Sequence, residues 1–582
     1  MGDHAHDDQM KAALVARDAF SSNSEYLEKV IAFKNDPKTS KVLKERLGYW
    51  QMYFERYQVP EELLALKKKI DALEGVIQKK KASEKEGYID PKTKKFVKAS
   101  KLKMWFAMNT EPDEKIRKAY FDAKEKAAVL YVDEYLELIK LRNVYARARG
   151  YKNFYEFKLA LEEGMKLADL EKIFDDIYEK TKYAFSYARG LEKKQKRIRY
   201  SWNYGFMMSG SFTSEEEPYF PFSEVIPRWG ESFAALGVDF NGGELVLDLL
   251  DREGKYNNGF CHYPKIVYGK DGKLLPGAAQ FTSNVVLGQP GSAKDAYRTV
   301  FHEAGHGADR LNSHMPDACL NTEYPPASTA WAETQSMFLD TVVGSMEWRS
   351  RYAQNEKGEI YPFQLFERIV NKLRPLSPLG LMSILSISYL ERKLYSEKNL
   401  TRKKMLAFTN LTSKKFFDRK NDSFSLLGTP HLYSWESACS YHGYGLAELA
   451  LSQWRKYFYD KYGYIVDNPH VGKEMKKVWA LASSHTYAEF VRIATGKPIS
   501  AKAYIDSVTM STKKFLALAK SRIERLAKVP RHKGPVKLGA TIRLVHGKAE
   551  IANNKKSFED MSARYKTWLA KHPSHPPAGG KK

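Results

Sequence analysis

The chain has 582 residues, 43% hydrophobic and 13% aromatic, with a formal net charge of +25. That composition supports a large packed core and excludes a disordered or fibrous chain. Its three cysteines, Cys261, Cys319 and Cys439, form no Cys-x-x-Cys pair, which excludes a disulfide framework and a structural zinc finger.

A reducing, cytoplasmic setting is therefore expected. No apolar run is long enough for a membrane span, and Met1 to Ala12 has no apolar segment of a signal peptide, so no membrane partner is expected. The lysines and arginines lie along amphipathic stretches with no groove-reading motif, which argues against nucleic acid as a partner.

Residues 13 to 200 read as helix almost throughout. Leu66, Ile70, Leu73 and Ile77 step by four, three and four, an apolar stripe that leaves Lys67 to Lys69 for solvent. Glu84 to Lys103, with Gly87, Pro91 and many lysines, reads as an exposed loop. Asp113 to Gly150 is a long helical stretch closing on a basic turn and a glycine. Helix continues over Lys152 to Glu163 and Leu167 to Arg199, whose basic cluster (Lys193, Lys194, Lys196, Arg197, Arg199) reads as a solvated helix end.

After Tyr200 the texture changes. Trp202 to Phe222, rich in glycine and aromatics and holding Pro218 and Pro221, reads as loop. Glu244 to Asp251, Gly259 to Val267 and Ala278 to Leu287 read as strands, the last two joined by a turn at Lys270-Asp271-Gly272-Lys273. Gln280 to Val285 is expected at the sheet edge, where an extended peptide can add as a further strand, so Gln280 and Phe281 are candidate substrate contacts. A helix follows, with Ser292 as its expected N-cap. Ala330 to Val343 is another helix, and helices run on to Leu526. Val536 to Ile551 reads as a short hairpin around His546-Gly547, before a Pro-, Gly- and Lys-rich disordered tail over 572–582. Three regions result: 1–200, helical; 201–529, carrying the chemistry; and 530–582, a C-terminal extension.

The chemistry centres on His302-Glu303-Ala304-Gly305-His306. Residues four apart share a helix face, so the two histidines can aim ring nitrogens at one ion, and Glu303 is placed to activate a zinc-bound water. A catalytic zinc takes a third protein ligand. The candidates are Glu323, on an apparent loop, and Glu333, on a breaker-free helix behind Ser328-Thr329. Glu333 is preferred. Its neighbours Trp331, Met337 and Phe338 imply a half-buried face, where an unpaired carboxylate is costly and a metal-bound one is not. Downstream, His431 to Gly445 is dense in hydroxyls and imidazoles suited to stabilising an oxyanion.

These segments together resemble the thimet oligopeptidase and oligoendopeptidase F family of zinc peptidases. The likeness rests on Asn258-Gly259-Phe260-Cys261, Gln280-Phe281-Thr282, Thr299 to His306, Ala332-Glu333-Thr334, Tyr441-His442-Gly443-Tyr444 and Ala494 to Pro498, in that order. Arg142-Asn143 and Gly150 to Phe154 are also similar to the peptidyl-dipeptidase relatives. The resemblance implies a mainly α, two-lobed body with a long central channel and a small β-sheet beside the His-Glu-x-x-His helix. The helical region 1–200 would line the channel. One Zn2+ per chain would be held by His302, His306 and Glu333, with Glu303 as general base. Tyr444 would match the oxyanion-stabilising tyrosine and His431 a histidine upstream of it. The family's second tyrosine falls here among Trp435, Glu436 and Ser437, which leaves Tyr441 or His442 to replace it.

The expected activity is zinc-dependent hydrolysis of internal bonds in short, unstructured peptides. The alternatives are a peptidyl-dipeptidase or carboxypeptidase of the same architecture and, from another class, a non-catalytic basic binding protein with a degenerate zinc site.

Overall fold

The computed structural model describes residues 6–256, 258–323 and 327–572. Of the tail expected to be disordered, 573–582 lie outside the described residues, as do Tyr324, Pro325 and Pro326 beyond Glu323.

Helices make up most of the chain. Five of them position the site: the motif helix Ser292–Leu311, the carboxylate helix Thr329–Gly344, the tyrosine helix His442–Tyr462, and from the N-terminal half Val132–Ala148 and Phe154–Glu163. Nine strands are present among the described residues: β1 Gly87–Ile89, β2 Phe96–Lys98, β3 Gly243–Leu250, β4 Phe260–Lys265, β5 Tyr268–Lys270, β6 Lys273–Leu275, β7 Ala278–Val285, β8 Ala540–His546 and β9 Ala549–Asn553. Five of them form one mixed sheet in the order β4-β7-β3-β8-β9. β3 runs parallel to both β7 and β8, and β4 and β9 close the two edges antiparallel. The hairpin read at 536–551 is β8–β9, and it extends the sheet beside β3.

This order corrects the strand expected at the edge. β7 has partners on both sides, and β4 is the outer strand. The burial of β7 explains its place: from Phe281 to Val285 every residue is buried, the mark of a strand covered on both faces. β4 alternates less strictly, exposes His262 and Lys265, and carries Pro264. A proline cannot donate to a ladder and is tolerated on an edge.

Two more expectations change. Within the stretch read as a loop over 84–103, β1 and β2 form a small antiparallel hairpin and a helix starts at Lys101. Most of the loop-rich stretch 202–222 is the helix Ser201–Glu216. Its glycines mark close packing: a Cβ on Gly205 would collide with the Asn109 side chain and one on Gly210 would lie 2.8 Å from the Asn109 carbonyl.

The motif helix is capped differently from the expectation. Gly291 is its N-cap, and its N–H donates to Glu217 Oε2 at 2.6 Å. Ser292 is already helical, and its Oγ accepts from the Val286 N–H at 2.9 Å. Ser328 caps the carboxylate helix as the sequence suggests, with Oγ accepting from the Trp331 N–H at 3.0 Å.

The motif helix packs on the sheet through Phe301, Ala304 and Ala308, all buried with Leu245, Leu247 and Phe281. A single apolar core runs from Ile70 and Ile77 through Trp229, Trp348 and Trp454 to Phe558. It joins the N-terminal helices, the sheet and the C-terminal extension.

Candidate metal centre

The motif and carboxylate helices cross at an unusually short distance. A Cβ on Gly305 would lie 2.8 Å from Ser336 Cα and 3.3 Å from the Gln335 carbonyl. Only a glycine leaves room for the two backbones here, and the crossing brings Glu333 up to the histidines. Glu333 Oε2 stands 3.4 Å from His302 Nε2 and 3.6 Å from His306 Nε2. Glu303 lies beside them, 5% exposed. Glu323, the alternative third ligand, is elsewhere: its Oε1 pairs with His262 Nδ1 on β4 at 2.7 Å.

The donor set fits a divalent ion. Two imidazole nitrogens and a carboxylate oxygen converge, and no lysine or arginine pairs with Glu333 among the described residues. Burial raises a carboxylate's pKa, yet the two imidazoles hold Glu333 well below the usual range. Two further contacts orient the ligands. His302 Nδ1–H donates to Asp340 Oδ2 at 3.3 Å, which leaves Nε2 for a metal, and Ser336 Oγ donates to Glu333 Oε2 at 3.2 Å. Asp340 went unnoticed in the sequence. The available signal was its spacing, seven residues after Glu333, two turns along the same helix face.

The downstream residues divide into two groups. Tyr444 Oη is 3.3 Å from His431 Nε2, and the rings of His431, Tyr441 and Tyr444 pack edge to face or tilted, with centroids 5.0–5.8 Å apart. Burial and the neighbouring Glu333 push the Tyr444 phenol well above its ordinary pKa, so it is a donor.

His442 faces the other way and does not line the centre. It is fully buried, with Nδ1 3.1 Å from Tyr155 Oη. The reason is helical: successive residues point about 100° apart, so His442 cannot share a face with both Tyr441 and Tyr444. Phe281 is likewise in the core, edge-on to Trp229, and Gln280 pairs across the sheet with His262.

The residues at the place where the resemblance expects a second tyrosine all have other partners. Trp435 packs against Tyr145 and Phe154, each with ring centroids 5.0 Å away. Glu436 accepts from Arg17 at 2.9 Å, and Ser437 Oγ donates to the His431 carbonyl at 3.2 Å. None of the three turns a hydroxyl toward His302 and His306. Tyr441 is the extra phenol beside Tyr444.

A short 3-10 turn at Pro430–Tyr433 leads into an irregular stretch over 434–440, and several backbone groups here are satisfied by charged side chains from distant helices. Arg142 Nη1 donates to the Leu432 carbonyl at 2.9 Å, and Glu74 Oε2 accepts from the Trp435 N–H at 3.0 Å. Arg142 and Glu74 also pair with each other at 2.8 Å. Lys158 Nζ donates to the carbonyls of Trp435 and Glu436 at 3.1 and 2.9 Å, and Glu391 Oε1 accepts from the Cys439 N–H at 2.8 Å.

Comparison with known proteins places this arrangement. A family model described as Peptidase family M3 matches residues 107–510. Among solved structures, the chain is similar to a protein described as an oligoendopeptidase F from Bacillus anthracis str. Ames (15% identity, 88% of this chain and 86% of that one, TM-score 0.59). It is also similar to a PZ peptidase A solved with an inhibitor (16% identity, 88% and 87%, TM-score 0.60). An M32 carboxypeptidase from Deinococcus radiodurans R1 shares the fold as well (15% identity, 89% and 93%, TM-score 0.55).

Proposed function

The chain belongs to peptidase family M3 and is a metallopeptidase, and from this premise we propose that it cuts internal bonds of short, extended peptides with zinc as its metal. The observation that carries the reading is the approach of Glu333 Oε2 to both His302 Nε2 and His306 Nε2, with Glu303 beside them and the Tyr444 hydroxyl near by.

His302, His306 and Glu333 would hold the ion, which when bound supplies a Lewis acid that polarises the scissile carbonyl and acidifies the attacking water. Asp340 fixes the His302 ring by accepting its Nδ1 proton. The Glu303 carboxylate takes the water's proton and returns it to the leaving amine. Tyr444 Oη–H donates to the carbonyl oxygen as negative charge develops there. His431, its Nε2 within hydrogen-bond reach of that phenol, holds it in place, and Tyr441 supplies a second hydroxyl on the same side. The substrate backbone adds to the free edge of β4, antiparallel to β7, in the role first read for Gln280 to Val285. The N-terminal helices wall the channel and keep folded proteins out.

Replacing Glu303 by Gln is expected to abolish turnover of a quenched fluorescent peptide while the metal content stays unchanged. Activity near that of the wild type would refute the role of Glu303. Mass spectrometry of products from a decapeptide with a blocked C-terminus then decides the mode of cleavage: internal fragments support an oligoendopeptidase. Cleavage only of the unblocked peptide, by one or two residues from its end, supports a carboxypeptidase or peptidyl-dipeptidase instead.

A further inference from the structure

A second group of metal-type ligands lies behind the site. It sits where the end of helix Phe154–Glu163 meets the first turns of the carboxylate and tyrosine helices. One ligand atom each from Glu162, Glu163 and His442 lie within 4.8 Å of one another. All three residues are buried, at 5%, 6% and 0% exposure. Two of their polar atoms, Glu162 Oε2 and His442 Nε2, have no hydrogen-bond partner. In a fully buried position such atoms are rare, and each calls for a partner.

The contacts already made leave those atoms free for one. Lys158 takes Glu162 Oε1 and leaves Oε2. The two oxygens of Glu163 accept from Ser328 Oγ and the Ala330 N–H, and each keeps a lone pair. His442 Nδ1 is engaged by Tyr155 Oη, which is itself 2.8 Å from Ser388 Oγ. With Nδ1–H donating to Tyr155, Nε2 presents a lone pair. An imidazole anchored through its far nitrogen is the usual setting of a metal-bound histidine.

We propose that Glu162, Glu163 and His442 bind a second divalent cation of the transition series, with a structural role. One imidazole and two carboxylates suit zinc or manganese. The two carboxylates cancel the charge of a divalent ion. Lys158 keeps its own pairing with Glu162 Oε1 and the carbonyls of Trp435 and Glu436. The ion ties three helices together just behind Glu333 and Tyr444, through Glu163 at the cap of the carboxylate helix and His442 in the first turn of the tyrosine helix.

The test is metal content, and it does not depend on activity. Full-length protein is dialysed against metal-free buffer, and zinc and manganese are counted by inductively coupled plasma mass spectrometry. Two equivalents per chain are expected for the wild type, and one for His302→Ala/His306→Ala, whose second cluster is untouched. Adding Glu162→Gln to that variant is expected to remove the remaining ion. Manganese or zinc added to His302→Ala/His306→Ala is expected to raise its melting temperature. The proposal is overturned if that variant is metal-free and its melting temperature ignores both ions, leaving only a proton or a water at the cluster. It is also overturned if a folded Glu162→Gln triple variant, checked by circular dichroism, still holds its ion.

Discussion

At the scale of single residues, the proposed metal ligands are the part of the candidate site that the sequence marks most directly. His302 and His306 sit one helical turn apart, and Glu333 is preferred over Glu323 for its uninterrupted helix and apolar flanks. Asp340 was harder to read, because its partner His302 is 38 residues away and its only local mark is the seven-residue spacing from Glu333. Replacing Asp340 by Asn is expected to weaken metal affinity about 10- to 100-fold with little change in fold, read by competition with a coloured chelator. In the proposed mechanism Tyr444 donates to the developing oxyanion. Tyr444→Phe is expected to lower kcat about 10²- to 10³-fold and leave KM nearly unchanged, because the donor acts mainly in the transition state. A change confined to KM would assign Tyr444 to substrate binding.

At the scale of elements, helices were read well where an apolar stripe recurred, and poorly where glycine carried a packing role. Gly205 and Gly210 look like loop residues but sit in a helix against Asn109. Gly305 is the clearest case. Its position in the motif is visible in the sequence, yet its reason is a second helix that arrives from further along the chain. Gly305→Ala is expected to destabilise the protein by about 1–3 kcal/mol through overpacking and to loosen metal binding in parallel, read by thermal melts with and without chelator. The edge strand shows the converse failure. Pro264 and the exposed His262 marked β4 as the edge, while the unbroken burial of β7 is set by strand order, which a single sequence does not reveal.

At the scale of the whole molecule, the helical class followed from periodicity, and the mixed sheet did not. Its central pairing joins Gly243–Asp248 of β3 to Ala540–Val545 of β8, far along the chain, and no local pattern encodes that. The price of building an irregular segment with buried charges shows in acidity. Burial pushes Glu391 up to about 7 from its ordinary 4.5, against the opposing bond from the Cys439 N–H and the attraction of Arg142. The folded chain therefore holds this proton more tightly than the unfolded one. Below pH 4.5 Glu391 costs nothing; between 4.5 and 7 stability falls as pH rises, and above 7 the full cost is present. Glu391→Gln is expected to flatten that slope and gain up to about 3 kcal/mol relative to wild type above pH 7, read by denaturant melts at pH 5 and 8. An unchanged difference at the two pH values would show that Glu391 is not protonated in the folded state.

The charged clasps on residues 432–439 reach across most of the chain. Arg142 reaches Leu432 over 290 residues, Glu74 reaches Trp435 over 361, and Arg17 reaches Glu436 over 419. The proposed ligands His302, His306 and Glu333, by contrast, lie within a short stretch of chain. The segment that carries His431 and leads into Tyr441 and Tyr444 thus takes backbone partners from the N-terminal helices.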